Sequence, residues 1–176
     1  REILQQTIGK GRWQKFLQTR GKFYENWAEE MEKLGDKCGA SSVAIALKTL
    51  TRVMEQIRVM RLTRQQYVLF QMADMITGVE TALAFTRRGI KSKEENQKNA
   101  EFIATSAKIY AAEVAGLIRD KSLNCLAGFG AEGKKQIQEL QEKTIDLAQI
   151  NQCYLEYGKN MAQLAQMISG NEFKIF

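Results

Sequence analysis

The sequence predicts an all-α fold: an antiparallel, up-and-down four-helix bundle with an additional helical segment at its N-terminal side. Three observations lead there. The 176 residues contain no proline, and proline is the residue that most reliably ends a helix. Ala, Leu, Gln, Glu, Lys and Met are abundant, which are the side chains that lose least on entering a helix. Apolar residues recur every three or four positions, with glycine at the junctions and no strand-like alternation. The length suits one domain with a substantial core. Residues 1–176 therefore read as a single helical domain, with 1–38 as a basic, aromatic lead-in and 39–176 as the bundle.

The first helical region is expected over Arg12 to Leu34, weakened at Gly21 and stopped by Gly35, with Trp27, Met31 and Leu34 as an apolar stripe in a charged stretch. Gly39 and Ser41 or Ser42 open a second helix to about Arg61, whose Val43, Leu47, Leu50, Met54 and Ile57 make a core face. Thr63 with Gln66 forms a possible capping box for a third helix, Arg64 to Arg88, with Val68, Met72, Met75, Val79 and Leu83 inward and Gly89 as its stop. Ser92 with Glu95 is a second such box. The fourth helix then runs to about Ala127 through Ile103, Ala107, Tyr110, Val114, Leu117 and Ile118. Gly128, Gly130 and Gly133 form the next turn. One last helix is expected over Lys134 to Ile168, carrying Ile137, Leu140, Ile145, Leu147, Ile150, Tyr154, Tyr157, Met161, Leu164 and Ile168. Short connections between long segments give the antiparallel order.

The formal charge of +6 is concentrated at the front. Arg1, Lys10, Arg12, Lys15, Arg20 and Lys22 face Glu2 alone over residues 1–24, with Trp13, Phe16, Phe23 and Tyr24 between them. Lys10, Arg12, Trp13, Lys15, Phe16, Arg20 and Lys22 are accordingly the candidate surface for an anionic membrane or a partner. The other reading is a helix with one packed aromatic face, since Trp13, Phe16 and Leu17 stand at helical spacing. Nucleic acid is the less suitable partner. No candidate catalytic, cofactor-binding or metal-ligating residue emerges. The chain has no histidine, which removes the usual general base, the Ser-His-Asp arrangement and the Glu-x-x-His sites of di-iron bundles. Cys38, Cys125 and Cys153 show no C-x-x-C spacing and read as reduced, buried thiols. No unbroken run of eighteen apolar residues and no signal-type apolar core occur. An intracellular location, cytoplasmic or peripheral to a membrane, is expected. A first residue Arg1 instead of Met fits an excised piece or a processed chain.

Two stretches carry a family likeness. Phe70, Met72, Ala73, Asp74 and Met75 fit F-x-L-A-D-M, with the small residue Ala82 further along the same helix. Ala107, Lys108, Ala111 and Glu113 fit A-K-x-x-A-x-E, and Leu126, Gly128, Phe129 and Gly130 fit L-x-G-[YF]-G. In order, spacing and helical placement, this set resembles the C-terminal helical domain of the acyl-CoA dehydrogenase family over about Ser41 to Gly130. The family also carries R-x-x-F-G before the F-x-L-A-D-M helix, where the arginine meets the flavin pyrophosphate, and I-Y-E-G-T after the glycine turn, where the glutamate takes the substrate's α-proton. Arg64-Gln-Gln-Tyr67 lies too close to Phe70 to be the first, and Ala131 to Gln141 does not contain the second.

Helices kept and cofactor motifs lost resemble the extra C-terminal domain of the very-long-chain branch, a degenerate copy of the catalytic helical domain. That resemblance implies a supporting part of an FAD-dependent enzyme of fatty acid β-oxidation, serving a dimer surface or membrane association. FAD belongs to the parent enzyme and no cofactor to this chain alone. The remainder of the dehydrogenase chain and further copies in a homo-oligomer are the implied partners, and Asp74 and Glu113 are structural in this reading. Two alternatives stand beside it. One is a catalytic C-terminal domain contributing to the flavin and acyl-CoA site, and the other is an unrelated helical interaction module.

Overall fold

In the computed structural model, which describes residues 2–129 and 134–170, helices follow one another without a strand among the described residues. The lead-in comprises α1 (Glu2–Thr19) and α2 (Lys22–Lys33). A 3-10 turn at Lys37–Gly39 leads into α3 (Ala40–Val59), and a second at Leu62–Arg64 into α4 (Gln66–Glu94). Next come α5 (Ala100–Phe129), α6 (Lys134–Glu139), a π-helical segment at Leu140–Ile145, α7 (Leu147–Gln152) and α8 (Tyr157–Ser169). Arg1, and Gly130 and Gly133 of the expected glycine turn, lie outside the described residues.

Side-chain contacts give the direction of each pairing. Met75 meets Ser122, the Phe85 and Tyr110 rings lie 6.2 Å apart, and Gly89 faces Ala104, so α4 and α5 run antiparallel along most of their length. Gln5 bonds Asp74 and Arg12 bonds Glu80 on α1, while Tyr24 bonds Glu80 and Arg87 bonds Glu30 on α2. These bonds tie both lead-in helices to α4, with Gly9 of α1 set against Leu69 and Ala73, while α2 packs chiefly on α3. Along α5, Tyr157 reaches Glu113 and Gln163 reaches Glu101, which sets α8 antiparallel to it. The inward residues read from the sequence hold their places: Val43, Leu47, Leu50, Met54 and Ile57 on α3 and Val68, Met72, Met75 and Val79 on α4 are all fully buried.

Several boundaries differ from expectation, each for a physical reason. The first helix begins near Glu2 instead of Arg12 and breaks completely at Arg20–Gly21. Gly21 adopts φ 79°, and a Cβ there would lie 2.9 Å from the Phe16 ring. Gly89 does not stop α4. It sits inside the helix because Cys38 and the Ala104 backbone come within 3.3–3.5 Å of where its Cβ would be, so its small size serves packing. Neither capping box forms. Gln65 stands before α4 in an extended conformation without a side-chain cap, and Ser92 lies buried within α4, where its carbonyl accepts from Gln97 N–H. The connection is made beyond it, at Asn96, with φ 50°.

The largest correction is the last helix, which is not continuous. The chain widens into the π-helical segment, reverses at Asp146 (φ 55°), restarts as α7 and turns again before α8. Asp146 Oδ1 accepts from Gln149 N–H at 3.2 Å, satisfying one of the donors a helix start leaves open. The reversal also leaves Thr144 and Ile145 carbonyls without the amides four residues on. Arg52 Nε donates to the first at 2.9 Å and Thr49 Oγ1 to the second at 3.4 Å, so α3 supplies what the broken helix lacks. Ile145 and Ile150 then bury fully beside Ala115. Each such side chain contributes about 1.5–3 kcal/mol when removed from water. Apolar spacing alone hides the break, because it is regular on both sides.

Beyond this point α8 rides on α5 with no residue of its own fully buried. Although α4 is long and apolar enough on average to cross a membrane, 56% of the relevant window is buried inside the protein, as befits a core helix.

Two outcomes follow from this packing. Gly39 takes φ 83°, and a Cβ there would stand 3.0 Å from both Ala111 Cβ and Lys108 Cα. Gly39→Ala is expected to cost about 2 kcal/mol, from left-handed strain and the collision together, read as a lowered urea midpoint with unchanged slope. Cys38 and Cys125 are buried and Cys153 is partly exposed. Burial raises all three thiols, that of Cys125 to about 12. A thiol-reactive disulfide reagent at neutral pH should therefore modify Cys153 first and the other two only on unfolding, as peptide mapping would show.

Candidate functional site

The seven residues of the basic, aromatic lead-in divide into two sets. Phe16 is 2% exposed and Trp13 stacks on it with ring centroids 5.6 Å apart. Across the break, Phe23, Tyr24 and Trp27 continue the aromatic layer, with Phe23 and Trp27 5.3 Å apart edge to face. Arg12 Nη2 donates to Glu80 at 2.6 Å, and Lys15 Nζ lies 4.7 Å from the Phe23 ring centroid. Arg12, Trp13, Lys15 and Phe16 thus hold the lead-in to α4 and to itself. Lys10, Arg20 and Lys22 are exposed and make no ion pair among the described residues.

Beneath this layer Tyr24 is completely buried and its hydroxyl donates to Glu80 at 3.1 Å. Burial first, and the neighbouring carboxylate second, push its pKa upward, so it stays a neutral donor. The site joins α1, α2 and α4 through a single carboxylate.

The residues of the two motif stretches lie on α4 and α5 and meet several neighbouring elements. Met72, Ala73 and Met75 are buried, as are Ala107, Ala111 and Leu126. Ala107, Lys108 and Ala111 form the surface onto which Gly39 settles. Asp74 accepts from Gln5 Nε2 at 2.6 Å and from Lys121 Nζ at 3.1 Å, so it ties α1, α4 and α5 together. Glu113 accepts from the Tyr157 hydroxyl at 2.7 Å and joins α5 to α8. Both carboxylates are engaged in helix-to-helix contacts.

A second constellation escaped the sequence reading. Between the α1–α2 turn, α3 and the π-helical segment lies a groove of about 770 Å³. Arg52 stands in it, half-buried, with Nε on Thr144 O and Nη2 on Thr49 Oγ1 at 3.2 Å. Arg20 and Lys143 flank it, and Phe16 and Leu17 supply an apolar wall. Glu55, also on the groove, is held bidentately by Arg58 at 2.8 and 2.6 Å. Residues 16–20, 52 and 143 meet only through tertiary folding, and no local spacing signals it.

The flavin implied by the resemblance can be tested against these residues. Arg61 and Arg64, the cations ahead of α4, are exposed on the 3-10 turn. Among the described residues the buried side-chain polar atom without a partner is Gln71 Oε1, an acceptor. A pyrophosphate requires donors.

No protein-family model matches the chain, and no solved structure matches it. Among curated proteins it is similar to cyclohex-1-ene-1-carbonyl-CoA dehydrogenase of Syntrophus aciditrophicus (strain SB), with 25% identity over 142 residues. The match covers 76% of this chain and 31% of that protein, so the chain spans under a third of the relative's length. The likeness is to a dehydrogenase whose named substrate is an acyl-CoA.

Proposed function

We propose that this chain is the C-terminal helical domain of an FAD-dependent acyl-CoA dehydrogenase of fatty acid β-oxidation, serving a supporting role while the chemistry resides elsewhere in a longer chain. The observation that carries the reading is the coincidence of motif and position. The residues that fit F-x-L-A-D-M and A-K-x-x-A-x-E lie on α4 and α5, where Met72, Met75, Ala107 and Ala111 are buried. Similarity to an acyl-CoA dehydrogenase along 76% of the chain supports it independently. In this reading α3, α4, α5 and the C-terminal segments stand as the up-and-down four-helix body, with α1 and α2 in front.

Engagement of Asp74 and Glu113 between helices supports a structural part for both. Of the two supporting roles, a protein-facing one within a homo-oligomer is favoured. Leu155, Met161 and Ile168 leave 80%, 43% and 71% of their surface exposed on the C-terminal segments, whereas Trp13 and Phe16 are packed against the lead-in. A membrane-facing role would rest on Lys10, Arg20 and Lys22.

The test uses the chain alone and within its full-length parent. The 176-residue chain, mixed with FAD and passed through gel filtration, should emerge colourless and reduce no electron acceptor with any acyl-CoA, because its sequence carries neither R-x-x-F-G nor the I-Y-E-G-T glutamate that would take the α-proton. The full-length protein should carry FAD and oxidise an acyl-CoA. Stoichiometric yellow protein from the chain alone would move the assignment to a catalytic domain, and a parent without a dehydrogenase body would remove the family reading.

A further inference from the structure

We infer that the groove between the α1–α2 turn, α3 and the π-helical segment is a binding site for a phosphate-type anion attached to an apolar group, with Arg52 at its centre and Arg20 and Lys143 at its sides. The site is distinct from the motif residues of α4 and α5, and it would bind its anion whatever body the domain serves.

Arg52 is positioned before any ligand arrives. Its Nε–H goes to Thr144 O at 2.9 Å and one Nη2–H to Thr49 Oγ1 at 3.2 Å, which fixes the guanidinium plane. Two of its five donors are used, leaving the others for an oxyanion. Both acceptors are neutral, so neither cancels the charge. Burial weighs against the charged form of Arg52, and the opposing influence comes from Asp146, which makes no ion pair with it among the described residues. An anion in the groove would supply the missing counter-charge in a partly desolvated setting, where charge-assisted hydrogen bonds are strongest.

The groove's own lining is net positive, while Glu29 and Glu32 stand on the adjoining surface that Arg52 also borders. Arg20, Arg52, Arg58 and Lys143 line the groove against Glu25 and Glu55, and Glu55 is already held by Arg58. Arg20 sits at φ 49° in a turn closed by Gly21 N–H on Phe16 O at 3.0 Å, which places it on the groove's edge. Arg20 and Lys143 are exposed and unpaired among the described residues. Leu17, 45% exposed, provides the apolar wall, with the buried Phe16 beside it on the lining. An oxyanion head with an apolar extension is what such a lining recognises, and a soluble phosphorylated molecule or a lipid headgroup presents the same chemistry.

The full 176-residue chain can be titrated with inorganic pyrophosphate in one arm. In the other it is titrated with phosphatidylcholine vesicles with and without phosphatidylglycerol. Amide chemical shifts and melting temperature are followed at constant ionic strength. Saturable binding with shifts centred on residues 16–20, 49–52 and 143–145 is expected. Lys143→Gln and Arg20→Gln should each weaken it about tenfold, the worth of one charge-assisted bond, while leaving the melting temperature of the free chain unchanged. Lys10→Gln with Lys37→Gln, which removes two cations that do not line the groove, should leave the affinity within about twofold, because solvent and salt screen exposed charges that make no direct contact. Saturation by pyrophosphate assigns a soluble ligand. Saturation only by phosphatidylglycerol vesicles, lost in the groove variants, assigns a headgroup. Binding weakened equally by the control pair, or no saturable response to either probe, overturns the site.

Discussion

Close approach of α4 and α5, helices of 29 and 30 residues, governs the arrangement of everything else. Small residues permit that approach: Gly78 admits Leu117, and Gly89 admits both Cys38 and the Ala104 backbone. Because the seam is long, it presents α3 and the lead-in with one continuous surface. Helices that pack through small side chains have little room to adjust, so added volume is felt along the whole contact. The 3-10 turn before α3 depends on it directly, since Gly39 settles against Lys108 and Ala111 of α5. Asp74 and Glu80 add directionality to the apolar packing. Each carboxylate draws donors from two other helices, fixing the lead-in's register along α4.

Much of this was legible in the sequence. Helical class and the inward residues of α3 and α4 follow from period and composition, whereas Gly21, read as a weak point in one helix, is a full break. Asp74 and Glu113 were read as structural because the motifs that hold the family's base are missing, and in the fold each carboxylate hydrogen-bonds to another helix. What the sequence obscured were features decided by distant neighbours. Gly89 reads as a stop because local rules treat glycine as punctuation, whereas here α5 and Cys38 determine its use. The continuous C-terminal helix was misread for a related reason. Its apolar rhythm survives the reversal at Asp146, and only the pairing of Asp146 with Gln149 marks a new start.

The lead-in shows how one stretch can carry two messages. Aromatic residues at helical spacing and cations between them suit both a packed face and an anionic surface. Trp13 and Phe16 stack on each other, and Arg12 and Lys15 meet Glu80 and Phe23. The cations left over are not evenly spread. Arg20 turns toward the groove that holds Arg52, so part of the positive charge visible at the front of the sequence belongs spatially with residues 52 and 143. Net charge along a chain is therefore a poor map of its electrostatic surface here.

The break in the C-terminal helix has a further consequence for how the chain tolerates change. Arg52 is oriented by the carbonyl of Thr144, a main-chain atom that persists whatever side chain occupies position 144. Drift in the residues of the π-helical segment can therefore leave that contact intact as long as the path of the backbone is kept. Position 52 has no such freedom: lysine would retain the charge and lose the planar fork that reaches Thr144 O and Thr49 Oγ1 together. Mutational robustness is thus lopsided across this contact, with one partner free to vary and the other confined to arginine.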